Sequence, residues 1–114
     1  MGRVTEFADE HVAAFNSAVA SQDFTGFLAR FDDDALMRFE NVPGVGVLEF
    51  AGRQAYAAAY AQQPPDDQIG IAGPVCDEGG IIVIPFVWRR DSGPGVLRLM
   101  VNDGRISRMV VTFV

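Results

Sequence analysis

The chain has 114 residues, of which 49% are hydrophobic and 21% are charged. This balance excludes a disordered chain, because disorder requires low hydrophobicity together with high charge. The formal net charge of −6 makes nucleic acids and anionic membrane surfaces poor partners, because both are themselves negatively charged.

The side-chain inventory limits the chemistry further. All nine basic residues are arginine, which excludes lysine Schiff bases and the phosphate-binding lysine of a P-loop. His11 and Cys76 are the only residues of their types, so neither a zinc site of Cys and His ligands nor an intrachain disulfide can form. We therefore expect no metal, no cofactor and a reducing, cytoplasmic location. The longest apolar run, residues 81–88, is far shorter than the ~20 residues of a membrane span.

The first half of the chain predicts three helices. One stripe of an amphipathic helix is formed by residues at every fourth position, namely Phe7, His11, Phe15 and Val19. Asp23 is a suitable N-cap for a short second helix over residues 24–31, which the aspartates at 32–34 would end. An alanine-rich third helix over residues 53–63 ends at a proline pair.

Strands are predicted on both sides of the third helix. Residues 35–40 and 45–50 form a hairpin, and after residue 68 the pattern changes to short runs at 69–75, 81–90, 96–101 and 106–114, separated by glycine-rich turns. Helices followed by an antiparallel meander predict an α+β domain, with the helices on one face of a curved sheet. No linker interrupts the chain, so we expect residues 1–114 to form a single domain.

The strand over residues 81–90 is apolar on both faces. We expect Val83 and Val87 to face the core, and Pro85 to mark a bulge or an unpaired edge. The opposite set is expected to lie in a homodimer interface, because a large apolar sheet face needs a cover. This interface set consists of Ile82, Ile84, Phe86 and Trp88.

Three segments give the sequence a family likeness. They are SQDFTGFLARFDDDALMRFE, FAGRQAYAAAY and the closing DGRISRMVVTF, in that order along the chain. Together they resemble the nuclear-transport-factor-2-like (NTF2-like) superfamily, in its SnoaL-like and ketosteroid-isomerase-like branch. The resemblance implies a cystatin-like, cone-shaped α+β roll, in which a curved mixed or antiparallel sheet wraps around an N-terminal helix pair and a third helix. It also implies a deep apolar pocket, and many members dimerise through the outer face of the sheet.

The catalytic positions of the isomerase branch carry apolar residues in this sequence. The oxyanion-holding tyrosine of the first helix matches Phe15, the general base matches Phe39, and the second oxyanion donor matches Leu97. The supporting tyrosine of the third helix matches Tyr60. The resemblance therefore argues against 3-keto steroid isomerisation, unless a slip of one residue in the first strand turns Glu40 inward.

Several residues are candidates for a site in the implied pocket. His11 is either an acid/base that titrates near neutrality or a partly buried histidine bonded to backbone or water. Tyr56 and Tyr60 either donate hydrogen bonds to a ligand or pack as core with their hydroxyls at the rim. The other expected ligand contacts are Phe15, Val19, Phe39, Val83, Val87, Leu97, Met109 and Phe113.

The acidic residues are better explained without a ligand. The aspartates at 32–34 are consecutive and lack the glycine spacing of a calcium loop, so we expect a solvated helix end. Glu40 and Glu49 lie on opposite strands of the predicted hairpin, where they either face solvent or pair with Arg38 or Arg53.

Two functions remain open at this point. The first is a domain that binds a small, apolar organic ligand, as a cofactor-free isomerase, cyclase or dehydratase-like enzyme with His11 and Tyr60 as the catalytic pair. The second is a non-catalytic binding or dimerisation module, whose pocket is filled by Phe15, Phe39 and Leu97. An open cavity above ~300 Å³ would favour the first, and a cavity that is packed shut would favour the second.

Overall fold

Three helices and seven strands follow one another in this computed structural model, which describes residues 2–90 and 92–114. The elements are α1 (Gly2–Ser21), α2 (Thr25–Leu28), β1 (Phe31–Val42), β2 (Gly46–Ala51), α3 (Arg53–Gln62), β3 (Ile69–Ile71), β4 (Cys76–Glu78), β5 (Ile81–Trp88), β6 (Pro94–Asn102) and β7 (Arg105–Phe113). The predicted α+β class is confirmed.

The seven strands form one curved, mixed sheet that does not close. Its order is β2-β1-β7-β6-β5-β3, and β4 also pairs with β5. β1 and β7 run parallel, while the other pairs are antiparallel. Register shifts interrupt the β1–β2, β1–β7 and β6–β7 ladders, and such bulges bend a sheet and increase its twist. The bent sheet has a concave face, which the helices cover.

The N-terminal end of β1 differs from the prediction. α2 ends at Leu28, and the chain enters β1 at Phe31 rather than at residue 35. The carbonyl of Phe31 accepts hydrogen bonds from Arg53 at 3.1 Å and Arg105 at 3.0 Å, and the same two arginines pair with Asp33 and Asp32. These tertiary contacts hold the aspartates in a strand, so the predicted helix end was wrong. The predicted N-cap was also wrong, because Phe24 holds the N-cap position of α2 and no side chain caps it. Asp23 lies one residue earlier and accepts a hydrogen bond from the backbone N–H of Thr25 at 3.1 Å.

Two short, separate strands, β3 and β4, lie beside β5 at the edge of the sheet. β3 pairs with residues 86–88 and β4 with residues 81–83, so Pro85 lies between the two ladders. Its carbonyl accepts a bond from the N–H of Ala72, which shows that the missing N–H of Pro85 also faces this edge. The predicted unpaired edge is confirmed, but the β5–β6 register is regular at Pro85 and contains no bulge. β4 was missed because Cys76–Glu78 is exposed and shows no alternation.

The two faces of β5 are the reverse of the prediction. Ile82, Ile84 and Phe86 are buried on the concave face, and Trp88 lines the cavity on the same face, so the expected homodimer interface of these four residues was wrong. Val83 and Val87 are half-buried on the outer face. Alternation separates the two sets correctly but does not say which set faces the core, because both are apolar. The larger side chains lie on the concave face, where a wide space between sheet and helices has to be filled.

Asn16 fixes α1 to the edge of the sheet. Its side-chain amide donates to the carbonyl of Ile69 at 2.8 Å, and its side-chain oxygen accepts from the N–H of Ile69 at 2.8 Å. Gln68 adds a bond from its amide nitrogen to the carbonyl of Asn16. These bonds satisfy the backbone N–H and C=O of Ile69 at the edge of β3. They also hold the His11 face of α1 over the concave side of the sheet.

Gly95 provides the space for an aromatic ring on that side. The ring of Phe86 lies directly over Gly95, and a Cβ at position 95 would come within 2.7 Å of Cε2 and 3.1 Å of Cε1. The backbone of Gly95 has no positive φ, so the requirement for glycine comes from this contact alone.

We expect Gly95→Ala to lower the free energy of unfolding by about 1–3 kcal/mol, because the added methyl group overpacks the Phe86 ring. Gly70→Ala is the matched control, since Gly70 is also a strand glycine but has open space around its Cβ position. Chemical denaturation measures both variants, and Phe86→Leu in the Gly95→Ala background should restore part of the loss. A Gly95→Ala variant as stable as the wild type would contradict this packing.

Candidate functional site

A cavity of about 200 Å³ lies between the concave face of the sheet and the helices. Its wall contains eight aromatic rings and the imidazole of His11, and the described residues that line it include no charged side chain. Gln63 and Pro65, from the segment that follows α3, lie at the partly exposed mouth. The lining residues are His11, Phe15, Phe27, Phe39, Tyr56, Tyr60, Gln63, Pro65, Ile69, Phe86, Trp88, Leu97, Met109, Val111 and Phe113.

Most of the residues expected in a ligand site line this cavity. Eight of them do so, namely His11, Phe15, Phe39, Tyr56, Tyr60, Leu97, Met109 and Phe113. Val19 is buried in the core but does not border the cavity. Val83 and Val87 lie on the outer face of the sheet, so their expected ligand contacts were wrong.

Other lining residues escaped the sequence reasoning. Phe86 and Trp88 were missed because the faces of β5 were reversed. Val111 carried a usable signal, because it alternates with Met109 and Phe113 along one strand. No sequence pattern pointed to Gln63 and Pro65, since they follow the end of α3. Only the folded chain brings them to the mouth of the cavity.

His11 is fully enclosed by apolar neighbours. Its side chain is 1% exposed, and its ring lies 5.3 Å from the ring of Phe27 and 6.2 Å from that of Phe31. Its Nδ1 makes no hydrogen bond within the described part of the chain. Burial, and secondly the positive charge of Arg30, lower the pKa of His11 to about 3. The imidazole is therefore neutral at pH 7, which disfavours the acid/base interpretation of His11. The alternative is supported in its burial, although Nδ1 has no hydrogen-bond partner among the described residues.

Arg30 sets the electrostatic environment behind His11. Its guanidinium carbon lies 4.9 Å from the centroid of the Phe7 ring, in a cation–π contact. Its Nε and Nη2 atoms are buried and, within residues 2–90 and 92–114, find no acceptor. Burial lowers the pKa of Arg30, but an arginine still keeps its charge at neutral pH. A fixed positive charge at this place disfavours a second one on His11.

Tyr56 and Tyr60 form a hydroxyl pair on one face of α3. Tyr56 Oη donates to Tyr60 Oη at 2.5 Å, which is the contact that the i, i+4 spacing allows. Burial raises the pKa of Tyr56 well above its usual value and that of Tyr60 to about 12, so both phenols stay protonated. One hydrogen bond between two hydroxyls uses one of their two hydrogens, so the pair has one hydrogen left for another acceptor. No acceptor for it occurs among the described residues.

The positions that match the isomerase catalytic residues lie where the resemblance implies. Phe15, Phe39 and Leu97 all border the cavity, and none has a polar atom to offer. Glu40 points to the outer face, where it accepts hydrogen bonds from Arg38 at 2.8 Å and Thr112 at 3.0 Å. The slip that would turn Glu40 inward is thereby excluded.

The expected pairing of the hairpin acids is confirmed for Arg38. Its Nη1 lies 3.1 Å from a carboxylate oxygen of Glu49, in addition to the bond to Glu40. The hydrogen bond from Arg38, and secondly that from Thr112, lower the pKa of Glu40. These carboxylates are therefore committed to the outer face and supply no base to the cavity.

Two searches of the described residues gave negative results. No group of three or more His, Cys, Asp or Glu side chains is arranged to hold a metal ion. No helix in the same part of the chain is long and apolar enough to cross a membrane.

This chain is similar to known proteins in its three-dimensional structure but not detectably in its sequence. No protein-family model matches the chain, and no curated protein matches it in sequence. An NTF2-like protein of unknown function from Burkholderia xenovorans has a TM-score of 0.69 and 21% identity, and the match covers 99% of this chain and 86% of that one. A proposed isomerase of the SnoaL-like family from Agrobacterium tumefaciens has a TM-score of 0.74 and 19% identity, over 100% and 99% of the two chains.

A third solved structure agrees with these two. It is a proposed isomerase from Bacillus subtilis, with a TM-score of 0.74 and 16% identity over 98% of this chain and 89% of the other. At such identities the likeness concerns the fold and not the chemistry. The resemblance drawn from the three sequence segments is confirmed at that level: the chain has the NTF2-like fold.

Proposed function

We propose that this chain is a small-molecule-binding domain and that the aromatic cavity is its ligand site. The observation that carries the proposal is a cavity lined by eight aromatic rings and by no charged side chain, at which the Tyr56–Tyr60 pair has one hydroxyl hydrogen to spare. Phe15, Phe39 and Leu97 line the space without closing it, which counts against a filled module. The cavity of about 200 Å³ does not reach the ~300 Å³ expected above for an open ligand site, which is the lower end of the ~300–1,000 Å³ range of drug-sized sites. It is larger than the ~150 Å³ that holds benzene in an engineered protein cavity.

Binding accounts for the site better than proton-transfer catalysis does. A general base works best when its pKa lies near the operating pH, and the cavity lacks such a group. The pKa of His11 is about 3, that of Tyr60 is about 12, and the carboxylates of the β1–β2 hairpin face outward. A cofactor-free isomerase, cyclase or dehydratase-like activity is the second candidate, favoured only by the Tyr60 hydroxyl, which could polarise a carbonyl group.

We also propose that the chain forms a homodimer and that it is located in the cytoplasm. A second copy of the chain would cover the outer face of β5, β6 and β7, where neighbouring apolar side chains are only half-buried. These are Val83, Pro85, Val87, Val96 and Val110. A cytoplasmic location rests on the single cysteine, Cys76, which is exposed and cannot form an intrachain disulfide.

The ligand site can be tested by thermal shift with a library of small, uncharged apolar fragments. We expect several compounds to raise the melting temperature of the wild type, because a ligand at ~100 times its Kd adds about 2.7 kcal/mol to stability. Val111→Phe should abolish these shifts by placing a ring in the cavity. Val47→Phe, on exposed β2, is the control and should keep them. Shifts that persist in Val111→Phe would place binding elsewhere.

Burial of neutral His11 should make the protein less stable in mild acid. The unfolded chain takes up a proton near pH 6.5, while the folded chain resists protonation down to a pKa of about 3. Stability is therefore full above pH 7 and falls as the pH drops through this window. Between pH 7 and 5 we expect a loss of about 2 kcal/mol in the free energy of unfolding.

The variant His11→Gln isolates this effect, because it removes the titrating group and leaves the carboxylates unchanged. Urea denaturation at pH 7 and pH 5 should show the loss in the wild type and little of it in His11→Gln. Equal losses in both proteins would contradict the burial of a neutral imidazole.

The expected dimer can be tested by light scattering at micromolar concentration. The wild type should have twice the 12.4 kDa mass of one chain. Val96→Asp should give the monomer mass, because it places a charge in the centre of the proposed interface. Val47→Asp, outside that face, should leave the dimer intact. A monomeric wild type would remove the proposal.

A further inference from the structure

The segment between α3 and β3, residues 63–68, runs along the mouth of the aromatic cavity, which Gln63 and Pro65 border. We propose that this segment is a strap, that Arg90 is the latch that holds it in place, and that release of the latch sets the rate at which a small ligand enters and leaves. The inference rests on the proposed ligand-binding function and adds the regulation of access to the site.

The strap has little structure of its own. It contains no helix or strand, and none of its residues is fully buried. The backbone N–H groups of Asp66 and Asp67 find no acceptor within residues 2–90 and 92–114, and the preceding prolines have no N–H to donate. A segment with so few internal bonds opens at a lower free-energy cost than the helices and the sheet beside it.

Both ends of the strap are anchored. At the α3 end, the N–H of Gln63 donates to the carbonyl of Ala59 at 2.9 Å. At the β3 end, the carbonyl of Gln68 accepts from the N–H of Arg89 at 2.9 Å, and its side-chain amide donates to the carbonyl of Asn16 at 3.0 Å. The proline pair between these ends restricts the backbone further. Opening is therefore confined to a rotation of the middle of the strap about its two fixed ends.

Arg90 holds the middle of the strap through three polar contacts. Its Nη2 donates to the carbonyl of Asp66 at 2.8 Å, and its Nη1 lies 3.5 Å from the Asp66 carboxylate. Its backbone N–H donates to the carboxylate of Asp67 at 3.1 Å. The ion-paired side chains are 64% and 83% exposed, so water and salt weaken their attraction. Such a latch is strong enough to favour the closed strap and weak enough to release it.

A single contact holds the strap on the side of α1. The side-chain amide of Gln22 donates to the carbonyl of Pro65 at 3.2 Å, and this bond is also exposed. Beneath the strap, Pro65 and Trp88 border both the cavity and a surface depression of about 260 Å³ that Arg90 also lines. Movement of Pro65 away from Trp88 would therefore join the two spaces and widen the mouth.

The latch acts on access and not on affinity. The side chain of Arg90 does not line the cavity, so it makes no contact with a ligand inside. It stabilises the closed strap equally in the free and in the occupied protein. Loss of the latch should therefore raise the association and dissociation rates together and leave Kd unchanged.

The test compares Arg90→Gln with the wild type, with acetophenone as a neutral one-ring probe. Line-shape analysis by nuclear magnetic resonance gives both rates, and we expect each to rise about threefold at constant Kd, as suits the loss of an exposed ion pair. Arg3→Gln is the matched control, since Arg3 is exposed and has no ion pair among the described residues. High salt should speed exchange in the wild type but not in Arg90→Gln.

A second measurement needs no ligand. The N–H of Arg90 is released when the strap opens, whereas the N–H of Arg89 is held by the anchored Gln68. Asp66→Asn removes the ion pair from the strap side and leaves residue 90 unchanged. In this variant, the solvent exchange of the Arg90 N–H should rise about threefold, and that of the Arg89 N–H should stay the same.

The outcomes separate this inference from the proposed function. Ligand rates that do not change in Arg90→Gln would overturn the strap, because the ligand would then take another path, such as the groove beside Phe24 and Tyr60. A rise in the dissociation rate alone would also overturn it, since Arg90 would then act on affinity. If neither acetophenone nor the fragment library binds, the proposed ligand site fails. Hydrogen exchange at Arg90 then still decides whether the strap opens, and an unchanged rate in Asp66→Asn would contradict it.

Discussion

Desolvation inside one aromatic cavity controls the chemistry that this chain can perform. The imidazole of His11 is enclosed by phenylalanine rings and faces the charge of Arg30, so it stays neutral at physiological pH. The same burial keeps Tyr56 and Tyr60 protonated. A residue that titrates near neutrality in water thus becomes part of an uncharged wall. This environment is the reason that we propose binding of a neutral molecule rather than acid–base catalysis.

The cavity exists because the concave face is wider than its side chains can fill. Bulges bend the sheet, Asn16 holds α1 to the edge strand, and the Phe86 ring lies over Gly95. A larger residue at position 95 would displace that ring, so a single glycine contributes to the shape of the wall. The polar groups of this wall include the imidazole of His11 and the Tyr56–Tyr60 pair, whose single mutual bond leaves one hydroxyl hydrogen available.

The sequence predicted the class of the fold, the third helix, the long strands and about half of the residues that border the cavity. These followed from periodicity and from the three family-like segments. It did not predict which face of β5 is buried, because both sets of side chains are apolar and alternation carries no absolute direction. It also placed the aspartates after Phe31 in a helix end, since their contacts with Arg53 and Arg105 come from distant parts of the chain. The protonation of His11 was out of reach for a related reason, because it depends on burial and on Arg30.

The central claim is that a small, neutral ligand enters the cavity between the sheet and the helices. Methyl-resolved nuclear magnetic resonance during a titration with acetophenone tests this claim most directly. The account predicts shifts concentrated on the methyl groups of Leu97, Met109 and Val111, all of which line the cavity, and little change at Val45 and Val47 on the exposed hairpin. Shifts at the hairpin with none at the three lining residues would show that the ligand binds on the surface, and would contradict the account.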